Sequence, residues 1–132
     1  VNKMTTETPY KLLKLALLPN NREELHRVIE ERVEYMLKKG LIEEVEGILS
    51  MYPSIDNSYP SLRSVGYRQT YCYLKNQISK YELKDRIIFA TRQLAKRQMT
   101  WMRKMENLEI FEPFNHDLNL KVKSRIESFL VN

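Results

Sequence analysis

The chain has 132 residues, of which 42% are hydrophobic and 30% charged, a balance that fits one globular domain and argues against an intrinsically disordered protein. Its formal net charge is +5, and no apolar run reaches the roughly 18 residues that a membrane span requires. A single cysteine, Cys72, excludes an intramolecular disulfide, and two histidines far apart in sequence offer no zinc site. The cysteine usage predicts a cytoplasmic protein, and the lack of a long apolar run predicts that it binds no membrane.

The first predicted elements are a lead-in, a short apolar run and a capped helix. Residues 1–10 lack a signal-peptide pattern and are predicted to form a disordered or extended lead-in. The apolar run 11–18 is short enough for either a strand or a helical turn. Asn20 or Asn21 is expected to cap a helix that ends at Gly40, because an asparagine side chain accepts hydrogen bonds from the free N–H groups of a first turn.

Two shorter helices are predicted next, at 41–49 and at 65–76. The second is expected to hold Gly66 in its first turn, with Ser61 or Ser64 as its cap. A glycine at that point would let another backbone approach closely and would leave N–H groups free to bind an anion. The alternative is an ordinary turn glycine beside a half-buried tyrosine and two surface arginines.

The longest predicted helix covers about residues 80–105. Its apolar residues fall on one side at 100° per residue, so Trp101 is expected to pack in the core. Arg92, Lys96 and Arg103 fall together on the opposite side. This basic stripe could follow a nucleic-acid backbone, and the alternative is that its cations are simply solvated.

Beyond the long helix, residues 109–111 predict a short strand that pairs with 13–18. Asp117 is expected to cap a last helix. No internal repeat or low-complexity tract is visible in the sequence. The fold class predicted from all these elements is mostly α, with one or two short strands.

Residues 57–105 are strongly basic, whereas the rest of the chain is acidic. The stretch holds 11 Lys or Arg against two acids, a net charge of +9, while the remaining residues sum to −4. Concentrated positive charge mixed with tyrosine and tryptophan is typical of proteins that bind a polyphosphate, most often a nucleic acid. No nucleophile–base pair, metal-ligand set or glycine-rich phosphate loop accompanies it, so the residues alone predict binding without catalysis.

Two phrases in the basic stretch resemble the C-terminal part of the tRNA dimethylallyltransferases, a family also called isopentenyl-pyrophosphate:tRNA transferases. They are SLRSVGYRQ at 61–69 and TRQLAKRQMTWMR at 91–103. The likeness continues upstream through LALLP at 15–19 and along the helix predicted over 22–40. It covers about residues 12–112, in the family's order and spacing.

The resemblance implies an enzyme that transfers a dimethylallyl group from dimethylallyl diphosphate to N6 of adenosine 37 in tRNAs that read UNN codons. It implies that 11–132 is the helical, tRNA-binding C-terminal portion of an α/β P-loop-type transferase. The family's ATP-type nucleotide-binding loop, its general base and its Mg²⁺ ligands all precede that portion. We therefore expect Mg²⁺ to serve the parent enzyme only, and this chain alone to be inactive.

By the same resemblance, two segments of the chain contact the tRNA anticodon stem-loop. The first is the segment around the glycine turn, which consists of Arg63, Ser64, Val65, Gly66, Tyr67 and Arg68. The second lies on the long helix and consists of Lys96, Arg97, Gln98, Met99, Thr100, Trp101, Met102 and Arg103. The charge pattern adds Arg92 to the predicted RNA-binding residues. No catalytic residue and no metal ligand is expected in the chain.

One position departs from the family pattern, and two other functions stay open. The family reads Leu-His/Tyr-x-Arg-Ile in its first helix, whereas this chain has Val28 at the arginine position and Arg27 one place earlier. One residue turns a helix by 100°, so no active-site role is assigned to Arg27. The alternatives are a free-standing helical nucleic-acid-binding module without catalytic activity, and a helical domain whose basic face binds an acidic protein.

Overall fold

A computed structural model describes residues 9–132, so residues 1–8 of the predicted lead-in lie outside the described part. Within that part, a 3₁₀ turn over Pro60–Arg63 accompanies two short strands and five α-helices. In chain order these are β1 (Lys14–Leu17), α1 (Arg22–Lys38), α2 (Leu41–Met51), α3 (Tyr67–Leu74), α4 (Lys80–Arg103), β2 (Leu108–Phe111) and α5 (Leu118–Val131). The predicted fold class, mostly α with one or two short strands, is confirmed.

The chain divides into two compact units. The helical unit is Asn21–Met99, and the smaller unit joins the described residues up to Asn20 with Thr100–Asn132. Each unit has its own architecture, and the long helix α4 contributes residues to both.

The helical unit begins with the capped helix that the sequence predicts. The Asn21 side chain accepts a 3.1 Å hydrogen bond from the Glu24 N–H, and the first turn of α1 is acidic, which suits the positive end of the helix dipole. After Lys39, Gly40 adopts a φ of +106°, a conformation that favours glycine, and the chain turns directly into α2. Of the two candidate caps, Asn21 is therefore the one used.

The predicted start of α3 is wrong by two residues. Gly66 has a φ of +95° and stands before the helix, which begins at Tyr67. A positive φ is incompatible with the right-handed helix, so Gly66 forms the N-cap position instead of part of the first turn. Neither predicted serine caps α3, since the Ser64 hydroxyl donates instead to the Ser61 carbonyl at 2.8 Å.

The core of the helical unit forms where α1, the start of α2 and the first half of α4 meet. Its buried residues are Ile29, Val33, Leu41, Leu83, Ile87 and Ile88. The last α4 residue that packs against this cluster is Ala95. The prediction that Trp101 packs in the core is wrong, because the tryptophan lies beyond that packed half of α4 and is 66% exposed.

The smaller unit contains a two-stranded parallel sheet. Strand β1 pairs with β2 in a register that runs from Lys14 opposite Leu108 to Leu17 opposite Phe111, which confirms the predicted pairing. Helix α5 is tied to β2 by Arg125, whose Nε donates to both carboxylate oxygens of Glu109 at 2.9 and 2.7 Å. Asp117 occupies the N-cap position of α5, but its side chain makes no capping hydrogen bond, contrary to the prediction.

Candidate nucleic-acid interface

The glycine-turn segment, residues 63–68, begins directly after a buried leucine. Leu62 is fully buried within the 3₁₀ turn and holds the start of the segment against the helical unit. Arg63, Ser64 and Arg68 are exposed, whereas Val65 is half-buried. The turn therefore presents two arginine side chains to solvent from a fixed backbone.

Gly66 lies at the centre of this segment and is buried. Its N–H donates to Gln69 Oε1 at 2.8 Å, and its carbonyl accepts from both the N–H and the hydroxyl of Thr70, at 3.0 and 2.8 Å. An added Cβ would meet only Leu41 Cδ2, at 3.9 Å, which is ordinary contact. The backbone groups of Gly66 are thus already paired, so its N–H is not free to bind an anion and the glycine is required by its φ rather than by space.

Tyr67 is less available than the sequence suggests. Its hydroxyl donates a hydrogen bond to the Glu44 carboxylate on α2. That hydrogen bond, together with partial burial, raises the pKa of Tyr67. The ring is half-buried and its hydroxyl is bonded to α2, so Tyr67 offers a ligand less surface than a fully exposed tyrosine would.

The second predicted segment, residues 96–103, forms the end of α4. Its exposed members are Lys96, Arg97, Gln98, Thr100, Trp101 and Arg103, and its half-buried members are Met99 and Met102. Three cations and a largely exposed indole therefore share the last two turns of one helix. The exposure of Trp101 makes its ring accessible for stacking, in contrast to the inward packing that the sequence predicts.

Arg92 differs from the other predicted cations because it is half-buried. Ile88, one turn earlier, is buried, so α4 is covered on more than one side in this region and not only along its apolar stripe. Within the described residues, the buried Arg92 Nε has no hydrogen-bond partner. Burial, and then the positive charges of Arg92 and Arg22, lower the pKa of His26 on α1.

Some cations of the basic stretch are neutralised by acids. Lys84 binds the Glu34 carboxylate and approaches Glu30 at 3.9 Å, so α1 and α4 are joined by ion pairs. Arg86 pairs with Glu82 on α4, at 3.3 Å. The net charge of +9 therefore overstates the positive charge that this stretch offers to a partner.

Arg27, the arginine that is displaced by one place from the family pattern, is held on α1. Its guanidinium donates to Glu24 and to Glu31, each at 2.5 Å. These carboxylates raise the pKa of Arg27 and keep its charge engaged within one helix. That Arg27 has no active-site role stays a prediction.

Sequence reasoning missed a groove between α3 and α4 in the helical unit. Arg68 and Cys72 line it from α3, and Arg86 and Phe89 line it from α4, around a volume of about 540 Å³. The sequence signal for this groove is Phe89, an aromatic residue that lies away from the apolar side of the basic helix α4 and is 65% exposed.

Membrane-spanning helices and metal-ligand clusters are both absent from residues 9–132. None of the helices there combines the length and apolar character needed to cross a membrane. In the same range, no three His, Cys, Asp or Glu side chains lie together in a way that could hold a metal ion.

Comparison with known proteins gives a consistent result. A family model described as IPP transferase matches residues 1–105. The tRNA dimethylallyltransferase of Methylobacillus flagellatus is 45% identical over 122 residues, which is 92% of this chain and 39% of that protein. That of Nitrosomonas eutropha is 44% identical over 110 residues, 83% of this chain and 34% of that protein.

A solved structure agrees with these relatives. The full-length tRNA isopentenylpyrophosphate transferase of Bacillus halodurans superposes with a TM-score of 0.79 at 29% identity, over 96% of this chain and 40% of that one. This chain therefore spans about two fifths of the length of the proteins it resembles. Because the family model matches most of its residues, the chain belongs to the IPP transferase family.

Proposed function

We propose that this chain is the tRNA-binding, C-terminal portion of a tRNA dimethylallyltransferase. In this proposal the whole enzyme transfers a dimethylallyl group from its diphosphate to N6 of adenosine 37 in tRNAs that read UNN codons. The two segments 63–68 and 96–103, with Arg92, bind the anticodon stem-loop. The family membership of the chain and the names of its relatives support the reaction.

The observation that carries the binding role is a set of exposed arginines without acidic partners. Among the described residues, Arg63, Arg68, Arg97 and Arg103 are exposed and form no ion pair with a carboxylate. An exposed arginine without such a partner keeps its full charge for a phosphate and displaces condensed counterions when the nucleic acid binds. Trp101 adds an accessible ring that could stack on an unpaired base.

Catalysis is assigned to the rest of the enzyme. The chain has three glycines and no Gly-Lys-Ser/Thr phosphate loop, so the diphosphate of the prenyl donor needs a binding site outside these residues. We propose that the nucleotide-binding loop, the general base and the Mg²⁺ ligands lie in the remaining part of the protein. The chain alone then binds RNA and transfers nothing.

Fluorescence anisotropy with a labelled anticodon stem-loop tests the binding role. Replacement of Arg63, Arg97 and Arg103 by alanine should weaken binding and reduce the slope of log affinity against log salt by about 0.9 for each duplex phosphate that the variant no longer neutralises. Arg32→Ala is the matched control, because Arg32 is exposed on α1 and, in the described part of the chain, has no ion pair. Equal affinity and slope for the triple variant and the control would contradict the binding role.

A second assay separates the proposal from a free-standing binding module. Both functions require salt-dependent RNA binding by this chain. Only the transferase requires that the full-length protein modifies tRNA with dimethylallyl diphosphate and that the arginine variants slow that reaction at limiting tRNA. Full-length protein that binds tRNA and never forms prenylated adenosine would leave the binding module as the function.

A further inference from the structure

Apart from Arg68, the residues that line the α3–α4 groove have no part in the function described so far. Its volume of about 540 Å³ lies in the range of small-ligand sites, about 300–1,000 Å³. Arg68 and Cys72 stand one turn apart on α3, and Arg86 and Phe89 stand about one turn apart on α4. Because Arg68 also ends the glycine-turn segment, the groove continues directly from that segment.

Phe89 is the largest apolar side chain of the groove and is not needed by the core. It is 65% exposed, whereas its neighbours Ile87 and Ile88 are 0% and 7% exposed. A phenylalanine ring that faces a groove offers a flat surface on which a nucleobase can stack. Tyr81 on the same helix is even more exposed, at 94%, but it does not line the groove.

The two arginines give the groove an anion-binding edge. Within the described residues, the Arg68 guanidinium makes no ion pair, and Arg86 has only its exposed i,i+4 pair with Glu82. Exposed pairs of this kind are weak and screened, so a phosphate can replace the carboxylate. The Asp85 carboxylate, which also lines the groove, can accept a hydrogen bond from the exocyclic amino group of a base.

We propose that the α3–α4 groove holds one unpaired nucleotide of the bound RNA, with its base on Phe89 and its phosphate between Arg68 and Arg86. This inference rests on the proposed function, because it extends the RNA surface beyond the two predicted segments. The groove combines what one nucleotide presents: a flat apolar face, an anionic group and, for adenine, cytosine or guanine, an amino group. Neither an apolar ligand nor an inorganic anion alone would use all three.

Binding by the full chain to an anticodon stem-loop RNA tests the stacking contact. Phe89→Ala should weaken binding by about 5-fold to 100-fold and leave the salt slope unchanged, because the substitution removes no charge. Phe89→Tyr should restore binding, and Tyr81→Ala should have no effect. Against a duplex without unpaired nucleotides, Phe89→Ala should bind like the unmodified chain. Since Phe89 is exposed, its variants are expected to melt like the parent chain.

Cys72, the only cysteine of the chain, reports occupancy of the groove directly. Saturating stem-loop RNA should slow alkylation of Cys72 by iodoacetamide, and Phe89→Ala should remove most of that protection. Polyglutamate at equal ionic strength should not protect Cys72. Protection by polyglutamate but not by RNA would overturn the proposal in favour of an acidic protein segment as the ligand.

The outcomes separate the groove from the proposed function. If RNA binds and the arginine variants of the two segments weaken it, while Phe89→Ala binds normally and Cys72 stays unprotected, the groove proposal is wrong and the proposed function stands. If the unmodified chain shows no salt-dependent RNA binding at all, both fail.

Discussion

Gly66→Ala tests whether the turn before α3 depends on the conformation of its glycine. Gly66 has φ and ψ of +95° and −59°, a combination that L-residues rarely adopt, and it is buried. A residue other than glycine held in such a backbone region costs of order 1–3 kcal/mol, and the added Cβ of alanine meets no close neighbour. We therefore expect Gly66→Ala to lower the free energy of unfolding by about 2 kcal/mol. For a chain of 132 residues this corresponds to a fall in Tm of roughly 6–10 °C.

Gly47→Ala is the matched control for that experiment. Gly47 lies inside α2 with no atom within 4 Å of its added Cβ, so alanine should stabilise the helix by about 0.5–1 kcal/mol. Both variants would be followed by thermal melting and urea denaturation of the same preparation. If Gly66→Ala were as stable as the unmodified chain, or were stabilised like Gly47→Ala, the turn would not require the backbone conformation of a glycine.

Three further outcomes follow from single contacts. Tyr67→Phe should lose about 1 kcal/mol in urea denaturation, because the hydroxyl that donates to Glu44 is removed. Folding raises the pKa of Tyr67 above its ordinary value of 10.0. The contribution of this hydrogen bond to the free energy of unfolding should therefore be complete below pH 10.0 and should disappear as pH rises through the folded pKa. If the alkaline unfolding of Tyr67→Phe matched that of the unmodified chain, the contact would be contradicted. Trp101, the single tryptophan, should be readily quenched by acrylamide, and a shielded indole would contradict its exposure of 66%. By NMR, the pKa of His26 should lie below 6.5. Arg92→Gln should raise the pKa of His26, although burial should still keep that pKa below its ordinary value. If the substitution left the pKa of His26 unchanged, the charge of Arg92 would be excluded as a cause.

The local elements of this protein were predictable because neighbours in sequence decide them. The asparagine cap of α1, the length of α4 and the short strand β2 follow from side-chain type and spacing within short windows. The family resemblance was carried in the same way by contiguous phrases. The segments 63–68 and 96–103 could therefore be named as RNA-binding candidates from the sequence, and their role stays a prediction.

Exposure and pairing were decided by the tertiary structure. The helical periodicity places Trp101 on the apolar side of α4, but the core cluster extends along α4 only to Ala95, and the ring of Trp101, six residues further on, is exposed. Arg92 belongs to a polar stripe by angle, yet it is half-buried and its charge acts on His26, because α4 is covered on more than one side.

The amino-acid sequence by itself determined the approximate positions of the helices, which family the chain resembles and where positive charge accumulates. Only the tertiary structure decided that the Tyr67 hydroxyl is held by Glu44 on α2, and that Phe89 and Arg86 line a groove with Arg68. The reason is physical: periodicity fixes the direction of a side chain around its own helix. What lies opposite that side chain depends on residues distant in sequence that only folding brings near.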